Sequence, residues 1–193
     1  MNITILEEHE MMEESSFWQL VETTRAQAIA KPRPKSRDII DVHIETLTAA
    51  LEKLAPAEVA GFAARFTELS GRAYRWDLWG AAYWMGGGCG DDGFTDFRAT
   101  LISLGEKAYA AALADPDSLA DTIDAPDMPY MQSEGFQYVA GRVYRKRTGD
   151  DMPVDTFPSG PKEPIGEKWD FDDEEETAER LPRIVKKLPE MGD

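Results

Sequence analysis

The stretch RWDLWGAAYWMGGGCGDDGFTDF, residues 75–97, decides the fold of this chain. In its first half Trp76, Trp79 and Tyr83 fall on one face of a helix, and the other faces carry almost no polar side chains. A helix that lacks a polar face belongs in a protein core. We therefore predict a buried, Trp-rich central helix over this segment.

Asp77 is the one charged side chain within that helix. An unpaired carboxylate in an apolar environment is strongly destabilising, so a buried aspartate needs a cation beside it. We expect Asp77 to be mostly buried and to pair with Arg72, Arg75 or Arg98.

The glycine-rich loop after the helix contains a literal match to the dinucleotide fingerprint G-x-G-x-x-G, at Gly88, Gly90 and Gly93. A true fingerprint follows a β-strand and leaves its backbone N–H groups free for phosphate. Here a helix precedes the loop, and Asp91 and Asp92 would repel a pyrophosphate. We therefore reject nucleotide binding, and expect the glycines to end the helix in left-handed conformations while Asp92 caps a helix that begins near Phe94.

Helical periodicity with recognisable start signals fills the chain before this stretch. Ser16 and Gln19 form a capping-box pattern that predicts the start of the first helix. Asp38 is placed to cap a second helix, and Pro56 suits the first turn of a third. Both helices carry one apolar stripe, so we expect them to pack together as a hairpin. His43 borders the second stripe and is interpreted as a packing residue, because one imidazole without a partner makes no ligand site.

The same periodicity continues towards the C-terminus, and no segment alternates as a β-strand would. The sequence predicts a joint between helices at Gly105, a helix start at Asp115 and Pro116, and a helix over about Tyr130 to Lys146. Further on, it predicts that Trp169 anchors the chain in the core. A short helix capped by Asp172 or Asp173 and broken at Pro182 should follow. The expected fold is an all-α single domain, a helical bundle with a long C-terminal loop.

Changes in composition give the domain boundaries. We predict an acidic tail over residues 1–14, a single helical domain over 15–188 and a short tail over 189–193. Within the domain, residues 149–166 form a Pro/Gly loop and residues 31–37 form a basic connector with two prolines. We interpret the connector as a solvated linker. The alternative is that it docks on an acidic segment of a neighbouring copy and makes a salt-sensitive homo-oligomer.

Composition also limits the function. A chain of 193 residues with 42% apolar residues can bury a substantial core, and its net charge of −16 disfavours binding to nucleic acid and to anionic membranes. No apolar run is long enough to cross a bilayer, the single cysteine cannot form an internal disulfide, and the acidic N-terminus is unlike a signal peptide. We expect a cytoplasmic protein.

The residues that could form a ligand site cluster around the aromatic helix and the glycine loop: Trp76, Asp77, Trp79, Cys89, Asp91, Asp92 and Arg98. Tryptophans, glycines and carboxylates do form pockets, although each of these residues also has a role in folding. A pocket beside Asp91 would prefer cations or hydrogen-bond donors. No cofactor, metal or catalytic residue is assigned.

Three classes of function remain open. The first is a regulatory or protein-interaction module whose acidic surface binds a basic partner. The second is a small-ligand-binding protein or a metal-dependent hydrolase, in which Asp77, Asp91 and Asp92 would meet Asp170 or Asp172. The third is a DNA mimic, although the acids bunch at the two ends of the chain instead of forming a strip. Thiol catalysis is disfavoured, since the histidines available to Cys89 lie in distant segments.

Three segments resemble one bacterial family, catalogued as domain of unknown function 4240: FWQLVE at 17–22, the run from RWDLWG to DPDSLAD at 75–121, and KWDFDDEEETAERLPRIVKKL at 168–188. The resemblance covers about Phe17 to Leu188 and leaves out the N-terminal fourteen residues and the connector. It implies no activity. Some similar proteins carry the domain beside a tryptophan-glycine-arginine module, which implies a regulatory role by analogy only.

Overall fold

The protein is described by a computed structural model over residues 10–125, 129 and 131–189. These residues form nine α-helices: α1 Glu14–Ala30, α2 Ile39–Leu51, α3 Pro56–Arg72, α4 Trp76–Gly86, α5 Asp91–Ser103, α6 Glu106–Ala114, α7 Val139–Thr148, α8 Glu174–Arg180 and α9 Pro182–Lys187. Short 3-10 helices cover Pro116–Asp121, Phe136–Tyr138 and Val154–Thr156. The described residues contain no strand beyond an isolated bridge between Arg75 and Ile165, so the all-α prediction is confirmed.

The first helix begins three residues earlier than its capping-box pattern predicts. The Ser16 cap is wrong, because α1 starts at Glu14 after Glu13, whose side chain makes no capping bond. Tertiary contact sets this start: the Met12 amide donates to the carbonyl of Gly61 on α3 at 3.0 Å. A side chain at Gly61 would come within 2.5 Å of the Glu10 carbonyl, so the glycine is what lets the chain lie against α3.

The second and third helices start as predicted but do not pair as predicted. Asp38 accepts a hydrogen bond from the Ile40 amide, and Pro56 occupies the first turn of α3. The hairpin is wrong, because α2 packs mainly on α1 and α3 packs mainly on α7. His43 is fully buried, with Nε2 at 3.0 Å from the Thr24 hydroxyl and 3.2 Å from the Val21 carbonyl, so the packing interpretation is confirmed.

The central helix α4 is buried on one side only. Leu78 and Ala81 lie in the core, whereas Trp76, Trp79 and Tyr83 are half-buried. The prediction of a helix buried all round is therefore wrong for its aromatic face. Large aromatic rings reach beyond the core edge even when one side of each ring is packed.

After α4 the predicted joints are largely correct. Gly105 separates α5 from α6 with a φ of 99°, and Asp115 caps the following 3-10 helix by accepting from the Asp117 amide. The helix expected from Tyr130 begins later, at Val139, after the 3-10 turn that starts at Phe136. Tyr130 itself lies outside the described residues.

The C-terminal segment folds back onto the helical body. Trp169 is buried, Asp173 caps α8, and Pro182 separates α8 from α9, as predicted. Asp117, also buried, accepts hydrogen bonds from the backbone amides of Arg183 and Ile184 and so caps α9 across the fold. None of the helices in the described ranges has the length and apolar character needed to cross a membrane.

Candidate functional site

A groove of about 600 Å³ runs beside α4, and we call it the aromatic groove. Its lining comes from α4, from the glycine loop and from the returning C-terminal segment: Trp76, Trp79, Tyr83, Cys89, Lys168, Trp169, Asp170, Phe171 and Asp172. Five of these nine side chains are aromatic and three are charged. The combination of flat apolar surfaces with a few charged groups is typical of a binding site.

The floor of the aromatic groove is part of a ladder of stacked rings. Trp76 stacks on Trp79 with centroids 5.2 Å apart, and Trp79 stacks on Phe94 at 4.7 Å. The Lys168 amino group lies 4.8 Å from the Trp76 ring at one end, and the Arg98 guanidinium lies 5.2 Å from the Phe94 ring at the other. The negative faces of the rings attract cations, so both ends of the ladder carry cation–π contacts.

The rim of the aromatic groove is acidic. Asp170 and Asp172 are exposed there, and the Tyr83 hydroxyl donates a hydrogen bond to Asp172. That hydrogen bond is the main cause of a raised pKa for Tyr83. Carboxylates dominate residues 163–179, where Lys168 is the single basic residue. The negative potential of the rim therefore adds to that of the ring faces.

Trp169 explains how the C-terminal segment is held against α4. A side-chain carbon built at Gly80 would lie 2.1 Å from the Trp169 ring, so the indole rests directly on the glycine backbone. The Trp169 indole N–H also donates to the Thr177 hydroxyl at 3.1 Å. With the tryptophan fixed in this way, its neighbours Lys168 and Asp170 lie at the edge of the groove.

Asp77 is paired as predicted, but it is not buried as predicted. Its carboxylate accepts from Arg75, which is one of the three partners proposed, and the Arg75 guanidinium also donates to the Leu113 carbonyl at 2.8 Å. The Asp77 side chain keeps 36% of its surface exposed. It does not line the aromatic groove.

The glycine loop ends α4 in the predicted way. Gly87 is left-handed, with φ 70° and ψ 36°, and Gly88 has a φ of 115°. The Asp92 cap is wrong, because α5 starts at Asp91 with Gly90 before it and without a side-chain cap. Asp91 and Asp92 lie instead in the first helical turn, where carboxylates are favoured by the helix dipole. Neither residue lines the aromatic groove.

Gln132, which was not among the residues expected at this site, fills the space beside the glycines. Its amide N–H₂ donates to the carbonyls of Ala82 at 3.2 Å and Gly88 at 3.1 Å. A side chain at Gly86 would lie 1.7 Å from that amide nitrogen, and one at Gly93 would lie 2.6 Å from the amide oxygen. The space left by the missing side chains of Gly86 and Gly93 is therefore occupied by the amide of Gln132. No local pattern marks a lone glutamine for such a contact.

Cys89 lies in the groove but is a poor nucleophile. Burial raises the pKa of its thiol to about 12, and the nearby Asp96 adds to the effect. Its backbone has a structural role, since the Trp79 indole N–H donates to the Cys89 carbonyl at 2.8 Å. A thiol that stays protonated at neutral pH does not attack substrates.

Arg98 belongs to a different surface. Its guanidinium donates to the Ser70 carbonyl at 3.0 Å and lies 4.7 Å from the Tyr74 ring. Burial lowers the pKa of Arg98. Of the seven residues proposed from the sequence, the structure brings Trp76, Trp79 and Cys89 together in one groove and leaves the other four outside it.

The carboxylates named for a metal-dependent hydrolase each have another role in the fold. Within the described ranges, no three or more His, Cys, Asp or Glu side chains come together as a metal-binding group. The carboxylates that a metal-dependent hydrolase would need are separated: Asp77 pairs with Arg75, Asp91 and Asp92 lie at the start of α5, and Asp172 accepts from Tyr83.

A model of the family described as "Protein of unknown function (DUF4240)" matches residues 12–146. The chain belongs to this family. The match spans the connector and begins at residue 12, inside the predicted acidic tail. It ends before the C-terminal segment 168–188, on which part of the resemblance rests. Comparison with curated proteins finds no match, and comparison with solved structures finds none either.

Proposed function

We propose that this protein is a protein-interaction module whose aromatic groove binds a lysine-containing, basic segment of a partner. The observation that carries the proposal is the position of Lys168, whose amino group lies 4.8 Å from the Trp76 ring inside the groove. The chain's own ammonium group thereby marks the kind of ligand that the groove accommodates.

The surroundings of Lys168 suit a second cation better than an anion. Trp76 and Trp79 form a stacked pair of nearly parallel indoles, at 11° to one another. Ammonium and guanidinium groups are attracted to such faces, and most strongly to those of tryptophan. Asp170 and Asp172 stand at the rim, where they can form ion pairs with flanking basic residues.

Charge complementarity extends beyond the groove. The acidic residues of 163–179 continue from its rim into α8, and the whole chain carries a net charge of −16. Such a surface speeds association with a basic partner and repels acidic ones. An exposed groove with a rigid aromatic floor and a charged rim has the general composition of a protein-interaction site.

The enzymatic alternatives have less support. A thiol mechanism needs a thiolate, and the pKa of Cys89 is raised to about 12. A metal-dependent hydrolase needs carboxylates that converge, and the acids named for that role lie in separate places. Binding without chemistry requires only the surfaces described above.

The test uses two short peptides of equal length, one alternating lysine with serine and one alternating glutamate with serine. Binding to the full chain is measured by calorimetry at low and high salt. We expect saturable binding of the lysine peptide only, weakened by salt because the rim charges are exposed. Trp76→Ala should weaken binding by about tenfold, the size of a partly desolvated cation–π contact.

Matched variants separate the groove from general acidity. Lys168→Met removes the competing positive charge from the Trp76 face and should strengthen binding of the lysine peptide, whereas Asp170→Asn should weaken it. Tyr138→Ala removes an exposed ring elsewhere on the molecule and should change nothing. Equal binding of the two peptides, no binding of the lysine peptide, or binding unaffected by Trp76→Ala would overturn the proposal.

A further inference from the structure

A second cavity, of about 500 Å³, opens between α3 and α7 under the loop that follows α7, and we call it the α3–α7 pocket. Its floor is made of phenylalanine rings and small side chains: Phe62, Ala63, Phe66, Phe136 and Ala140. Met152, Val154 and Phe157 line its loop side. The volume and the apolar lining fall in the range of small-molecule sites.

The mouth of the α3–α7 pocket carries exposed apolar surface. Tyr138 is 49% exposed and Val154 is 60% exposed, and both line the pocket. Apolar groups of this size at the edge of an apolar cavity would lose water contact if a ligand filled the space between them. The arrangement therefore favours occupancy by an apolar body.

The charged side chains at the pocket are mainly basic. Arg142 and Arg145 line it from α7, and Asp151 lines it from the loop. Asp151 pairs with Arg145. Arg142 donates to the Gly135 carbonyl at 3.0 Å and lies 5.9 Å from the Tyr138 ring, but within the described ranges it makes no ion pair. The charged side chains of the lining therefore sum to a net positive charge, which comes from Arg142. Among the described residues, its guanidinium has no carboxylate partner.

We propose that the α3–α7 pocket binds a small amphipathic carboxylate, with its apolar body against Phe62, Phe66 and Phe136 and its anionic head at Arg142. Arginine binds carboxylates through paired N–H donors, and its planar fork suits that geometry. An ammonium head group would instead meet Arg142 and Arg145 as like charges. The ligand class is therefore opposite in charge to the one assigned to the aromatic groove.

Gly141 gives a way to close the pocket without disturbing the core. It lines the cavity from the first turn of α7, and a side-chain carbon built there meets no atom within 4 Å. Because Gly141 lines the cavity, we expect a tryptophan at this position to occupy it, whereas an alanine adds only a methyl group. The two substitutions form a matched pair at one backbone position.

The experiment measures binding of dodecanoate to the full chain by calorimetry, with dodecylamine and dodecanol as probes that have the same tail. We expect saturable binding of dodecanoate and at least about tenfold weaker binding of both other probes, the value of a charge-assisted hydrogen bond. Arg142→Gln should weaken dodecanoate binding by about the same factor. Gly141→Trp should abolish it, and Gly141→Ala should leave it within about twofold.

Each other outcome counts against the proposal. If dodecylamine binds as well as dodecanoate, the arginine has no role in selection. If Gly141→Trp keeps full affinity while its circular-dichroism spectrum and melting temperature match those of Gly141→Ala, the ligand binds elsewhere. If dodecanoate does not bind at all, the pocket does not take this class of ligand.

Discussion

The aromatic groove and the α3–α7 pocket differ in the type of aromatic ring on their floors and in the sign of the charge around them. The groove has an indole floor and an acidic rim with Asp170 and Asp172, whereas the pocket has a phenyl floor and arginines on α7. Both lie on a chain with a net charge of −16. The net charge of the chain therefore affects how fast a partner approaches, while the local charge at each cavity decides what binds there.

Both sites combine residues inside and outside the family match, since Met152, Val154 and Phe157 of the pocket lie beyond residue 146. The charged groups that we expect to select each ligand, however, lie on opposite sides of that boundary. Arg142 and Arg145 of the pocket fall within residues 12–146, while Lys168, Asp170 and Asp172 of the groove lie beyond them. The groove therefore lies between α4, which is inside the match, and a segment outside the match. The contact between the two depends on Trp169.

Removing the contact between Trp169 and α4 should have the largest effect on stability. Trp169→Ala is expected to destabilise the fold by roughly 3–5 kcal/mol, because a buried indole leaves a cavity against Gly80 and loses its hydrogen bond to Thr177. Urea denaturation measures the loss. In the fraction that stays folded, binding of the lysine peptide should disappear, while dodecanoate binding at the α3–α7 pocket persists. Loss of both together would show that the two sites do not fold independently.

Two helical glycines should respond in opposite directions to the same substitution. Gly80→Ala forces a methyl group into the Trp169 ring and should destabilise by roughly 1–3 kcal/mol, as overpacking does. Gly141→Ala meets open space and should stabilise α7 through helix propensity, by less than the ~1 kcal/mol typical of a helix interior because Gly141 lies in the first turn. Thermal melts of the two variants side by side make the comparison. A stabilised Gly80→Ala would contradict the close contact with Trp169.

Acid should destabilise the fold through His43, which lies beside the floor of the α3–α7 pocket. His43 packs 5.0 Å from the ring of Phe136 on the pocket floor, and its buried Nδ1 has no hydrogen-bond partner in the described structure. Burial, with a smaller contribution from Arg25, lowers the pKa of His43 from 6.5 to about 3.

Because the folded-state pKa is depressed, the unfolded chain takes up this proton first as the pH falls. The stabilisation is complete above pH 6.5 and is lost towards pH 3, by up to about 1.4 kcal/mol per pH unit. Denaturation curves at several pH values should show this slope in the wild type and a smaller one in His43→Gln. An unchanged slope in the variant would assign the acid sensitivity to other groups.

The smallest effect is expected at Asp77. Asp77→Asn breaks a partly exposed pair with Arg75, and such pairs contribute only about 0.2–1 kcal/mol. Since Asp77 does not line the aromatic groove, lysine-peptide binding should stay within about twofold of the wild type. Calorimetry on this variant therefore tests the boundary of the groove, and a large loss of affinity would extend it to Asp77.

Local patterns in the sequence were sufficient for much of the fold. The Asp38 cap, the Pro56 start, the left-handed turn at Gly87 and the joint at Gly105 depend on residues within one or two helical turns. The same is true of the all-α class, since hydrophobic periodicity is a short-range property. Part of the site was also predictable, because Trp76 and Trp79 share a helical face wherever that helix packs.

Tertiary structure alone decided the rest, through contacts between residues far apart in the chain. The start of α1 depends on Gly61, the glycine loop is filled by Gln132, and the groove rim comes from Lys168 and its acidic neighbours. Sequence spacing carries no information on which distant segment packs on an exposed face, because many apolar surfaces can bury the same area. The all-α class and the shared face of Trp76 and Trp79 were therefore predictable from the sequence, whereas the charge that faces those tryptophans was determined by the fold.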